Sequence, residues 1–170
     1  MNTEQSLAKA IIGTWKLISW TFNDGNGSVT DFFGPSPEGI LMYDEHGYMN
    51  AQLMQQNRSP FISNALAGGT PDESKQALDT YLAYFGRYEI NPENQTITHI
   101  VEASLLPNWV GQEQIRYVHI VEGRLMISTP YFEYEGQHLR FQLEWKKVTR
   151  QSMGQPEGQQ KHASIQAIHS

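Results

Sequence analysis

Short runs of alternating apolar and polar residues, cut at intervals by turn-forming clusters, dominate the chain from Thr14 onward. The clusters are Asn23-Asp24-Gly25-Asn26-Gly27, Asp44-Glu45-His46-Gly47, Asn91-Pro92-Glu93-Asn94, Glu122-Gly123 and Gly136-Gln137. Gly, Asn and Asp suit tight hairpins, and alternation puts one face of each strand against a core. The pattern predicts an antiparallel meander of about eight to ten strands. A meander escapes exposed edges most simply by closing on itself, so an all-β up-and-down barrel is expected, with a flat sandwich as the alternative. Ahead of it, Leu7, Ile11 and Ile12 fall at helical spacing and Gly13 ends the run, which predicts a short N-terminal helix.

Between Gln55 and Tyr81 the alternation fails. A Gly/Pro/Asn-rich loop leads into Thr70-Pro71-Asp72-Glu73, a capping box with proline in the first turn, and predicts a helix from Pro71 to about Leu82. This insertion, about 56–82, would sit over one barrel end as a movable cover or as a plug sealing the core. Beyond Thr149 the chain turns Gln/Gly/Ser-rich, predicting a disordered tail over 151–170 and a single domain over 1–150.

The 170 residues suit one domain, and 39% hydrophobic against 18% charged residues supplies a core. A net charge of −6 with no basic run argues against nucleic acid or an anionic membrane as partner. Absence of cysteine removes thiol nucleophiles, disulfides and Cys-type zinc sites, and fits a reducing compartment. Residues 1–10 lack the basic start and apolar run of a signal peptide, and no stretch approaches the ~20 apolar residues of a membrane helix. A cytoplasmic protein is therefore expected, with its oligomeric state left open.

Hairpin geometry assigns the faces, because residues flanking a tight turn oppose each other and every second residue keeps the same side. The Pro92 turn pairs Ile90 with Ile97, Tyr88 with His99 and Gly86 with Val101. A turn near Pro107-Asn108 then sets His99 against Arg116 and Val101 against Gln114. Glu122-Gly123 pairs Ile120 with Leu125 and Val118 with Ile127, and the last hairpin pairs Tyr134 with Leu139 and Phe132 with Phe141. The inner face so defined is apolar, whereas Arg87, Glu89, Glu102, Glu113, Glu133, Glu135, Arg140, Glu144 and Lys146 are expected to face water. Upstream, Ile40, Met42, Met49, Ala51 and Leu53 are expected to extend the lining. Within it fall Tyr88, His99 and Arg116, with Gln114 and Tyr84 nearby. Buried polar groups must satisfy one another or meet a ligand or water in a cavity.

Gly13-Thr14-Trp15-Lys16-Leu17 after a short helix resembles the G-x-W start of lipocalins. Pro37-Glu38-Gly39-Ile40-Leu41-Met42-Tyr43, Gly47-Tyr48-Met49, Tyr84-Phe85-Gly86-Arg87-Tyr88, His99-Ile100-Val101-Glu102, Leu106-Pro107-Asn108-Trp109-Val110-Gly111, Gln114-Ile115-Arg116 and Leu143-Glu144-Trp145 resemble, in order and spacing, the small lipocalin-like domain proteins of bacteria and fungi. The resemblance implies a closed calycin-type barrel with a calyx for a small hydrophobic molecule. Some lipocalin-like barrels are cyclases or isomerases of polyketide or terpenoid intermediates, so the resemblance also admits a cofactor-independent enzyme. The chain departs from secreted lipocalins in its absence of cysteine and in the expectation, from residues 1–10, of no signal peptide.

The expected ligand is a small hydrophobic molecule that can carry an acidic or carbonyl group. Tyr84, Tyr88, His99, Gln114 and Arg116 would orient it, with Met42, Met49, Trp109, Phe132 and Phe141 as apolar contacts. In an enzyme, His99 would be general acid or base, Arg116 would hold an enolate or carboxylate, and Tyr88 would donate a proton. Alternatively the three form a hydrogen-bonded trio that stiffens the barrel and is never touched by ligand; a filled barrel used as an interaction module is a third possibility for the whole chain. Trp109 either stacks on ligand at a mouth or caps the core, and Arg58 either meets an anionic headgroup or is solvated. No cofactor or metal is expected, since His46, His99, His119 and His138 form no spaced ligand set.

Overall fold

The computed structural model describes residues 3–134 and 136–149. After helix α1 (Thr3–Ile11) come β1 (Gly13–Asn23), β2 (Val29–Asp31), β3 (Glu38–Tyr43) and β4 (Tyr48–Met54). Helix α2 (Pro71–Asp79) precedes β5 (Tyr81–Asn91), β6 (Thr96–Ser104), β7 (Glu113–Val121), β8 (Arg124–Ser128), β9 (Phe132–Tyr134) and β10 (Gln137–Lys147). All pairings are antiparallel. Eight strands close a barrel in the order β1-β3-β4-β5-β6-β7-β8-β10, with β10 returning to β1, while β2 and β9 are three-residue additions outside the ring. The barrel expectation holds and the sandwich does not. Glu135 and the tail over 151–170 lie outside the described residues.

Closure needs bends. The β1–β10 register shifts between Leu17 and Ser19, and the β5–β6 register shifts between Phe85 and Gly86, each inserting a residue where the wall turns. Gly86 is required at the second bend, because a Cβ there would stand 2.0 Å from the Ile100 carbonyl oxygen.

The two barrel ends differ. At one, tight turns join β3 to β4, β5 to β6 and β7 to β8, and α1 closes the base. There the Trp15 indole donates to the Ile11 carbonyl at 2.8 Å. Lys147 Nζ donates to the Ala10 carbonyl at 2.7 Å and lies over the Trp15 ring, so the helix's last carbonyls are satisfied by the closing strands. At the other end every connection is long: 24–37, 55–80, 105–112 and 129–136. The capping box forms as expected on α2, which buries no residue and so rests on the rim rather than plugging the core. The helix stops at Asp79 rather than near Leu82, because Thr80 turns its N–H and hydroxyl back to the Gln76 carbonyl and Tyr81 pairs with Met54 in the sheet.

The predicted registers around Pro92 and Glu122-Gly123 are observed. Two others shift. His99 opposes Gln114, and Arg116 opposes Ile97, because a 3-10 turn at Pro107–Trp109 lengthens the β6–β7 connection, and Val101 exchanges hydrogen bonds with Gly111 and Gln112. The last hairpin is tighter than expected: Tyr134 opposes Gln137 and is exposed near the turn, Phe132 opposes Leu139, and Phe141 pairs instead with Phe22.

Gly86→Ala should lower stability by at least about 2 kcal/mol through overpacking at the bend, seen as a drop of roughly 4–8 °C in melting temperature by circular dichroism. An unchanged melting point would mean that the wall is not as tight there as described.

Candidate functional site

Alternating strands of a closed ring send half their side chains inward, and eight strands leave space for one small molecule if the inner residues do not fill it. Here they leave a cavity of about 680 Å³. Its mouth lies at the long-loop end, rimmed by Leu78 and Asp79 of α2, Leu106 and Trp109, Thr129 to Tyr131, and Phe32 and Phe33. The walls are apolar, with an aromatic group at the mouth: Trp20 lies 4.8 Å from Phe33 and 5.7 Å from Phe141, and Phe132 stacks on Phe141 at 5.2 Å.

His99 lines this cavity although it is only 1% exposed. Its Nε2 lies 2.7 Å from the Tyr43 hydroxyl and its Nδ1 lies 3.0 Å from the Tyr84 hydroxyl, so both ring nitrogens are engaged. Burial, helped by the Arg116 cation, holds the imidazole pKa well below its ordinary value, and burial raises the Tyr43 phenol well above its own. His99 and Tyr43 are therefore neutral near pH 7, which makes His99 a poor acid or base there and a good hydrogen-bond bridge. Gln114, across the strand pair from His99, also lines the cavity, and its side-chain oxygen accepts from Arg116. Arg116 lines it too, and among the described residues no carboxylate forms an ion pair with it.

Of the residues singled out from sequence, Tyr84, His99, Gln114, Arg116, Trp109, Phe132 and Phe141 are brought together on the cavity. Trp109 meets Tyr84 edge-on, with ring centroids 5.5 Å apart. Three are not on it. Tyr88 sits at the closed end, where its hydroxyl donates to the Asp44 carbonyl at 2.6 Å and its ring packs on Tyr43, so it offers no proton to the cavity. Met42 points outward and is 45% exposed, and Ile40 shares its face, because Leu41 and Tyr43 are the inward residues of β3. Met49 is buried in the core beneath the cavity. Glu113, expected outside, stands at the mouth, exposed. Arg58 is exposed on the surface, as the solvated alternative expects, and there it donates to Thr80 Oγ1 at 3.1 Å and the Ala77 carbonyl at 3.0 Å and covers the Tyr81 ring.

Sequence reasoning missed Tyr43, hidden in the unbroken apolar run Ile40-Leu41-Met42-Tyr43, and the mouth aromatics Trp20, Phe32 and Phe33. An adjacent Phe pair in a turn-rich loop was the available signal. Among the described residues no three His, Cys, Asp or Glu side chains cluster to hold a metal ion, and no helix is long and apolar enough to cross a membrane.

A family model described as a lipocalin-like domain matches residues 12–148, the whole barrel. The chain belongs to the lipocalin-like domain family. This lipocalin-like chain is also 36% identical over 109 residues to an Aspergillus oryzae protein named a 4'-hydroxy-3'-methoxypropiophenone carrier protein, a match covering 60% of this chain and 98% of that one.

The neutral state of His99 has a pH signature. The unfolded chain takes up a proton at this histidine below about pH 6.5 while the folded chain does not, so stability is full above that value and declines as pH falls toward the depressed folded pKa. The stability difference between the wild type and His99→Gln, from urea unfolding, should be constant above about pH 7 and shrink below about pH 6.5 by up to about 1.4 kcal/mol per pH unit. A difference independent of pH between 5 and 8 would contradict a neutral, buried His99.

Proposed function

We propose that this protein binds and carries a small, largely apolar molecule inside its barrel. The observation that carries the reading is the cavity of about 680 Å³ with apolar and aromatic walls and a few convergent polar groups, the usual composition of a ligand site. Tyr84, His99, Gln114 and Arg116 are its polar handles, and Trp109, Phe132 and Phe141 supply flat contact area. The relative's named ligand, an aromatic ketone with phenolic and methoxy oxygens, matches that combination and suggests the ligand class. In this reading the 55–80 segment is the cover beside which the molecule passes. The cyclase or isomerase alternative gains no support: a histidine held neutral and bridged on both nitrogens lacks the free proton site that general acid–base work requires.

Titration with 4'-hydroxy-3'-methoxypropiophenone should quench the fluorescence of the cavity tryptophans saturably, at one ligand per chain. Ala51→Phe, which fills the space at a buried lining position, should weaken binding at least tenfold while keeping the β-rich circular dichroism spectrum. Equal affinity in the variant would place the ligand elsewhere. Native mass spectra of freshly purified protein would extend the search to retained ligands of other classes.

A further inference from the structure

A neutral imidazole has one N–H, and here it lies between two phenol hydroxyls, each able to donate once and to accept. Only two arrangements use both contacts. If the proton is on Nε2, His99 donates to Tyr43 and accepts from Tyr84, and the Tyr43 O–H must find another acceptor. Tyr43 is only 2% exposed, and His99 is its one hydrogen-bond partner among the described residues, so that arrangement strands a buried donor. If the proton is on Nδ1, Tyr43 donates to Nε2, His99 donates to the Tyr84 oxygen, and the spare O–H belongs to Tyr84, which lines the cavity. A stranded donor is costly, whereas a donor at a ligand site has a use.

We propose that His99 carries its proton on Nδ1 and that Tyr43, His99 and Tyr84 form a directed chain. Its terminal hydroxyl, on Tyr84, donates to a neutral oxygen acceptor of the cavity ligand, a carbonyl above all. The assignment rests on the carrier reading and sharpens it, choosing a carbonyl over a carboxylate at this end of the cavity. An independent observation agrees. The indole N–H groups of Trp20 and Trp145, both cavity-lining residues that are more than nine-tenths buried, have no protein acceptor. Near Tyr84, Arg116 and the Gln114 amide, whose oxygen is already engaged, add further donors to the lining. Such a site favours a ligand whose oxygens accept. Tyr43 touches no ligand in this scheme and is a positioning residue, whereas Tyr84 is the specificity-determining contact.

Two measurements on the full chain test this. The first is the ¹⁵N chemical-shift pair of the His99 ring, assigned by comparison with His99→Gln, which should show a protonated Nδ1 and a bare Nε2; the reverse pattern would overturn the directed chain. The second compares propiophenone with propylbenzene, in which a methylene replaces the carbonyl beside the ring. The ketone should bind roughly fivefold to tenfold more tightly, and Tyr84→Phe should abolish that preference, with its melting temperature reporting the fold. Equal binding of the two probes by the wild type, or a preference surviving in Tyr84→Phe, would overturn this proposal and leave the carrier reading standing. Failure of both probes to bind would count against the cavity as a site for such molecules and overturn both.

Discussion

The pairing of β1 with β10 gives the molecule an inside. Without it, the remaining hairpins would form an open sheet with two unpaired edges, each a row of unsatisfied backbone groups. With it, the same alternation that makes every strand two-faced builds one enclosed apolar space and one solvated wall. The closing seam is reinforced at the base, where Trp15 of β1 and Lys147 of β10 both bond to the last turn of α1, so helix and closure hold one another. Bulges in β1 and at Gly86 supply the curvature that the seam demands.

From closure follows a division of labour between the ends. Short turns and α1 close the base, over a packed core that includes Trp15, Tyr43, Met49, Ile97 and Leu125. Long connections gather at the other end, where backbone not needed for pairing is available to shape a mouth. The polar cluster lies between these regions. Neutral His99 between two tyrosine hydroxyls is tolerated in an apolar interior because each ring nitrogen has a hydrogen-bond partner and the imidazole carries no charge, and the spare hydrogen-bonding capacity is directed to the cavity, where a partner can arrive.

How much of this was readable in the chain depended on what set the register. Two- and four-residue turns of Gly, Asn and Pro dictate which residues oppose one another, so Tyr88 opposite His99 and Val118 opposite Ile127 follow from counting, and with them the inward direction of His99. Counting fails where a connection has structure of its own, as at Pro107–Trp109, and where four apolar residues in a row conceal the phase, as at Ile40 to Tyr43. Tyr88 illustrates a further limit: the correct register still did not reveal that its hydroxyl would turn to Asp44 rather than to the cavity. The contact between Tyr43 and His99 spans 56 positions in sequence, and only closure of the barrel brings it about.

A ligand held in the barrel interior would have to enter from the long-loop end. A crystal structure of the protein saturated with an aromatic ketone tests it most directly. Electron density for one molecule is expected between the mouth aromatics Trp20 and Phe141 and the polar pair Tyr84 and His99, with the ketone oxygen within hydrogen-bond distance of the Tyr84 hydroxyl. Density confined to the outer wall, with the interior filled by rearranged side chains, would contradict it.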